Sequence, residues 1–214
     1  MTRRHAVALL AVALAGCGAV QGVKSRLPPR EPQPGPEDGA YADLRDAATR
    51  RARLYDGFLH RADATVTWLS PEVQEAGARR LAAWQGWTTA ELDKALAAQA
   101  EEARKGEQFL VAFYAAERKH NDLADSTSIW RIRLDDGTTQ AVASSVELVP
   151  KDANVLQLFP YVGNFDVVYR VRVPWTGQPL TGRPFTLKIL SALGPLSLDF
   201  APGRSSSDRP HQAP

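Results

Sequence analysis

The sequence predicts an α+β fold: a short helical N-terminal part packed on an antiparallel, immunoglobulin-like β-sandwich. Three observations predict it. Between residues 41 and 106, apolar residues recur at helical spacing and two segments open with N-cap chemistry. After Gly106 the period drops to two, and short apolar runs alternate with turn residues. Neither half shows strand–helix–strand alternation or an internal repeat, which sets aside a parallel α/β sheet.

The helical part is justified segment by segment. From Tyr41 to about His60, the residues Leu44, Ala47, Ala48, Tyr55, Phe58 and Leu59 recur at helical spacing, with Asp43, Arg45, Asp46, Arg50 and Arg53 largely between them. Ala62–Leu69 sets Ala64, Val66 and Trp68 against Thr65 and Thr67, which suits a strand as well as a helix. Ser70-Pro71-Glu72 then opens a helix: Ser as N-cap, Pro at the first helical position, a carboxylate near the positive end of the dipole. Val73, Ala76, Leu81 and Trp84 continue it, and Gly86 can stop it. Thr88-Thr89-Ala90-Glu91 matches a capping box, with Trp87 and Leu92 at the two positions of a hydrophobic staple. Trp84 and Trp87 thereby have a structural explanation; the alternative is an exposed aromatic binding patch. This helix should reach about Lys105, with Glu101–Lys105 as an i,i+4 pair and Gly106 as terminator.

The strand half follows. Phe109, Val111, Phe113 and Tyr114 mark one strand. Ile129–Leu134 alternates Trp130, Ile132 and Leu134 with Arg131 and Arg133, and Asp135-Asp136-Gly137 is a hairpin turn signal. Further strands are expected at Ala141–Val149, Val155–Phe159, Asp166–Val173, Phe185–Leu190 and Leu196–Phe200, divided by Pro150, Pro160, Gly163-Asn164, Pro174 and Gly194-Pro195. Six or seven short strands at that spacing read as a sandwich or partial barrel.

Composition narrows the function classes. The chain has 214 residues, 26 Lys+Arg, 24 Asp+Glu and one Cys. One Cys forms no internal disulfide and builds no Cys-based zinc or iron–sulfur site. A net charge of +2 on this length is no nucleic-acid footprint. Of the 26 cations, Arg3 and Arg4 stand before an apolar run, Ala6–Gly16, that ends in small residues. This is the layout of a signal peptide, and the run is too short to span a bilayer.

The segment Leu14-Ala15-Gly16-Cys17 resembles the lipobox of bacterial lipoproteins, and the resemblance covers residues 1–17 only. It implies that residues 1–16 are removed and that Cys17, the lone Cys, is lipidated and becomes the mature first residue. Cleavage then leaves 24 cations against 24 anions, so the +2 belongs to export. Gly18, where an Asp would favour the inner membrane, points by the same resemblance to the outer one. The Arg3-Arg4 pair lacks the flanks of a twin-arginine signal. Residues 17–40 form a Pro-rich tether with Pro28, Pro29, Pro32, Pro34 and Pro36, able to extend roughly 70 Å as polyproline II. Pro29–Pro32 also fits a PxxP ligand. Residues 41–106 are the helical part, 107–200 the sandwich, and 201–214 a Ser/Pro-rich tail expected to be disordered.

Candidate chemistry is sparse. His60 and His120 sit in no HExxH or HxH pattern, and no GxSxG, SxxK, P-loop or GxGxxG occurs. His120-Asn121-Asp122 with Asp125 is the densest polar cluster. It suits a solvated loop, a metal site or a general base. The other constellation is basic: Arg131, Arg133, Arg170, Arg172 and Lys188 each point away from the apolar side of a predicted strand. On one shared face they would form a stripe for an envelope protein or an anionic glycolipid. Cations on a strand also simply solvate an exposed face. The expectation is a lipid-anchored envelope protein, non-enzymatic and without cofactor or metal, that binds a protein or envelope component. The alternative is a periplasmic hydrolase or metal enzyme using His120 and Asp122.

Overall fold

Among residues 36–202, which the computed structural model describes, nine strands form two antiparallel sheets accompanied by four α-helices. The fold is α+β. The expected signal peptide, Cys17, the expected tether up to residue 35 and the expected tail from residue 203 lie outside the described residues. The last tether residues are already helical: α1 runs Pro36–Ala47, since a proline is tolerated in the first turn, where its missing N–H costs nothing.

The stretch expected to be helical, 41–106, contains a β-hairpin. The strands β1 (Thr49–Asp56) and β2 (Leu59–Trp68) pair antiparallel, Thr49 opposite Thr67. Two local signals explain it. Arg51 and Arg53 alternate with Ala52 and Leu54 at period two, and Asp56-Gly57 is a tight-turn dipeptide with Gly57 at φ 58°. Beyond it the caps act as expected. In α2 (Pro71–Gln85), Ser70 Oγ accepts from Val73 N at 3.4 Å. In α3 (Thr89–Ala103), Thr88 N donates to Glu91 Oε2 at 2.7 Å and Glu91 N donates back to Thr88 Oγ1 at 3.3 Å. The last turn pairs Glu101 with Arg104 and Glu102 with Lys105, in place of Glu101 with Lys105. Trp84 is exposed beneath the Arg80 guanidinium, 4.5 Å from its ring, so it is no core residue.

Gly106 joins α3 to β3 (Glu107–Ala115) at φ 141°. A Cβ there would be driven onto the Val173 carbonyl oxygen, 2.9 Å from Val173 C and 3.0 Å from Pro174 Cα. The strands then follow as β4 (Arg131–Asp135), β5 (Gln140–Val142), β6 (Ser145–Leu148), β7 (Val167–Val173), β8 (Phe185–Ser191) and β9 (Gly194–Phe200). The strand expected at Val155–Phe159 is instead the helix α4 (Ala153–Leu158). Asp152 caps it, its Oδ1 accepting from Val155 N at 2.8 Å.

The five-stranded sheet has the order β1-β2-β3-β7-β6 and the four-stranded sheet β5-β4-β8-β9. The N-terminal hairpin therefore completes the first sheet rather than lying in a separate helical part. Alternate residues of both sheets, among them Val66, Phe109, Phe113, Leu134, Leu187 and Leu198, share one core. Phe185 stacks on Phe200 at 4.7 Å and meets the Trp68 edge at 5.1 Å. Each such buried side chain contributes about 1.5–3 kcal/mol. On the opposite face of the larger sheet, Leu110, Ala112 and Val168 pack with Tyr41, Val73, Leu158 and Phe159 of the helical layer. A run of hydroxyls ties that layer down: Thr49 Oγ1 donates to Arg45 O at 2.6 Å and meets Thr67 Oγ1 at 2.7 Å, which meets Tyr161 Oη at 2.5 Å.

Candidate functional site

The five strand cations do not form one stripe. Arg131, Arg133 and Lys188 lie on β4 and β8, with Arg133 directly opposite Lys188. Arg170 and Arg172 lie on β7, in the other sheet, where Val171 and Val173 face the shared core and the arginines face the helical layer. The shared outer face fails because β7 pairs with β3 and β6, not with β4 or β8. Several are also already engaged. Lys188 Nζ donates to Asp135 Oδ2 at 2.9 Å, which holds the Asp135 carboxyl below the usual carboxylate range. Arg131 Nη1 donates to the carbonyls of Ser128 and Trp130, and Arg172 Nη2 to Glu102 Oε2 at 2.5 Å.

His120 and Asp122 are not brought together as a catalytic pair. His120 Nε2 faces Glu117 at 3.7 Å. Asp122 Oδ1 accepts from Ser128 Oγ at 3.2 Å, inside the loop that precedes β4. Among the described residues no three His, Cys, Asp or Glu side chains converge as a metal set. His60 lies elsewhere, its ring between Tyr55 at 5.1 Å and Tyr114 at 5.8 Å.

What the fold does assemble is an apolar and basic end of the larger sheet. The β1–β2 turn carries Tyr55, Phe58 and Leu59 into solvent, and Phe58 is fully exposed. The Tyr55–His60–Tyr114 ring contacts lead from this tip to β3. Tyr114 in turn lines a cleft of about 610 Å³ with Leu148, Phe165, Arg118, Lys151 and Asn121. Phe165 is 82 % exposed and Leu148 64 %. Lys151 Nζ donates to the carbonyls of Asn164 at 2.8 Å and Gly163 at 3.4 Å, and so braces the loop that presents Phe165. Asn121 Oδ1 is a buried acceptor with no partner among the described residues. Beside the tip, Asp63 accepts from Arg51 Nε at 3.0 Å and Nη2 at 2.6 Å, and from Arg53 Nε at 3.1 Å. That charge-assisted fork fixes β1 on β2. The arrangement offers large apolar contacts edged by Arg118 and Lys151, with Asp166 turned to Gly163 N at 2.7 Å, the composition of a binding surface.

Helical spacing hid these residues: read as a helix face, Tyr55, Phe58 and Leu59 looked like core. The signal able to expose them was Asp56-Gly57, a turn dipeptide that puts its neighbours at a hairpin tip. No family model, no curated protein and no solved structure matches this chain. Among the described residues no helix is long and apolar enough to cross a membrane.

Proposed function

We propose that the chain is a lipid-anchored lipoprotein of the bacterial cell envelope, held at the outer membrane through Cys17, and that it acts as a non-enzymatic binding module. Its partner is an envelope protein that inserts apolar side chains at the hairpin tip and cleft and sets acidic residues against Arg118 and Lys151. The observation that carries this reading is the exposure of Phe58, Leu59 and Tyr55 at the hairpin tip, with the Tyr55–His60–Tyr114 ring contacts leading on to the cleft that Phe165 lines. Large apolar side chains left exposed together mark a surface for interaction. Lipobox spacing and the lone Cys support the anchor. For the two-sheet layer we retain an immunoglobulin-like layout, supported by two antiparallel sheets burying one common core.

The test has two arms. Metabolic labelling with radioactive palmitate should mark the wild-type chain and not Cys17→Ser. A photo-crosslinking residue at position 58 or 165 should capture one discrete partner in living cells, and the same residue at Thr138, on the β4–β5 turn, should not. Arg118→Glu with Lys151→Glu should remove the adduct while the fold persists. Equal adducts from all three positions, or an adduct that survives the charge reversal, would refute the assigned surface.

A further inference from the structure

A second cavity, of about 290 Å³, lies between the helical layer and the larger sheet. Its walls are Val73 and Leu81 of α2, Leu158 at the end of α4, Phe159 just after it and Leu110 of β3, with Glu102 of α3 over it. Among these elements α3 alone buries none of its residues, so it sits over the cavity as a loosely seated cover. The size stands at the lower end of small-molecule sites, which span roughly 300–1,000 Å³.

The cavity's polar edge has donors without acceptors. Gln108 is only 4 % exposed, and its Nε2 is buried with no partner among the described residues. Opposite it in register stands Arg172, whose Nε is likewise buried and unpartnered although its Nη2 holds Glu102. Two residues along β7, the exposed Arg170 lines the cavity; its charge acts on Glu102, and no hydrogen bond or ion pair among the described residues engages its guanidinium. Two carboxylates border this edge. Glu102 is taken up by Arg172 and Lys105, and Lys105 holds it below the usual carboxylate range. Glu147, across the sheet from Arg170, accepts from Ser145 Oγ at 3.0 Å. Neither relieves Gln108. A buried donor left unmade is costly, so a chain that keeps Gln108 in this state at the wall of an apolar cavity is matched to an acceptor from outside.

We propose that this cavity binds a single-chain fatty acid of medium length. Its aliphatic chain lies among Val73, Leu81, Leu110 and Phe159, and its carboxylate accepts from Gln108 Nε2 and the Arg170 guanidinium. The carboxylate, rather than a neutral head, follows from Arg170: an exposed guanidinium at the mouth of an apolar site, its charge felt by Glu102 but with no hydrogen bond to it, matches an anion with two oxygens. This site is separate from the aromatic end of the sheet, and its test does not depend on that reading.

The experiment is isothermal titration of the full chain with sodium decanoate and with 1-decanol, joined to the carbon-13 signal of carboxyl-labelled decanoate. Decanoate should bind one to one and saturate, with decanol at least tenfold weaker. Arg170→Ala and Gln108→Met should each weaken decanoate about tenfold or more, the range of a charge-assisted hydrogen bond, and leave decanol unchanged. The bound carboxyl resonance should shift in wild type and revert in Arg170→Ala. Circular dichroism checks each fold, and if one variant fails to fold the other decides. Absence of saturable decanoate binding, decanol bound as tightly as decanoate, or folded variants that bind decanoate unchanged would overturn the proposal.

Discussion

Replacing Gly106 by alanine should damage the molecule more than a comparable change at Gly57, and the two glycines separate two physical causes. Both have positive φ, 141° and 58°. At Gly57 a Cβ meets nothing within 4 Å, so Gly57→Ala carries only the left-handed backbone cost of about 1–2 kcal/mol. At Gly106 the same atom strikes the Val173 carbonyl, with Val173 C at 2.9 Å and Pro174 Cα at 3.0 Å. Those are backbone atoms of β7 and its exit, and they cannot rotate away as a side chain would. The backbone term of about 1–3 kcal/mol is then joined by an overpacking term of about 1–3 kcal/mol. We expect a loss of about 2–6 kcal/mol, which in a domain of this size lowers Tm by roughly 2–4 °C per kcal/mol. Urea and thermal unfolding followed by circular dichroism measure it. Local effects should appear as faster amide exchange in α3, since Gly106 sets how that helix leads into β3 and so where Glu102 meets Arg172. A Gly106→Ala loss no larger than that of Gly57→Ala would refute the steric argument.

Two further outcomes concern pH. Burial pushes the Glu107 carboxyl up, partly offset by the bond it accepts from Trp68 Nε1 at 2.8 Å. A carboxyl raised in the fold makes stability fall as pH climbs above its unfolded value. Glu107→Gln keeps an oxygen for Trp68 and removes the buried charge, so it should be at least as stable as wild type at pH 7 and lose that advantage near pH 4 in urea titrations. Burial also raises the Tyr41 and Tyr161 phenols well above their ordinary value of 10.0. Folded protein should therefore show incomplete phenolate absorbance at pH 11, completed on adding denaturant. Because the unfolded chain releases those protons first, stability should drop as pH rises past 10; full ionisation at pH 11 with the fold intact would contradict this.

Local chemistry was readable where it is short-range. Ser70 and the Thr88–Glu91 box each act within a few residues, and each acts as its spacing implies. The boundary errors have a common origin. Tyr41–His60 satisfies a 3.6-residue period well enough to pass for a helix, yet Arg51 to Leu54 also satisfies a period of two, and pairing with β2 decides between them. Val155–Phe159 is apolar like a strand, but Asp152 supplies a cap that starts a helix there.

The α+β class follows from the order of residues alone, because caps and hydrophobic periods are local. What tertiary structure decided is which strands are neighbours. Arg131 and Arg170 look alike along the chain, each a cation alternating with apolar residues, but β4 pairs with β8 and β7 with β3. Strand pairing joins segments distant in sequence, so the same alternation places one arginine on the outer sheet face and the other at a cavity beneath a helix.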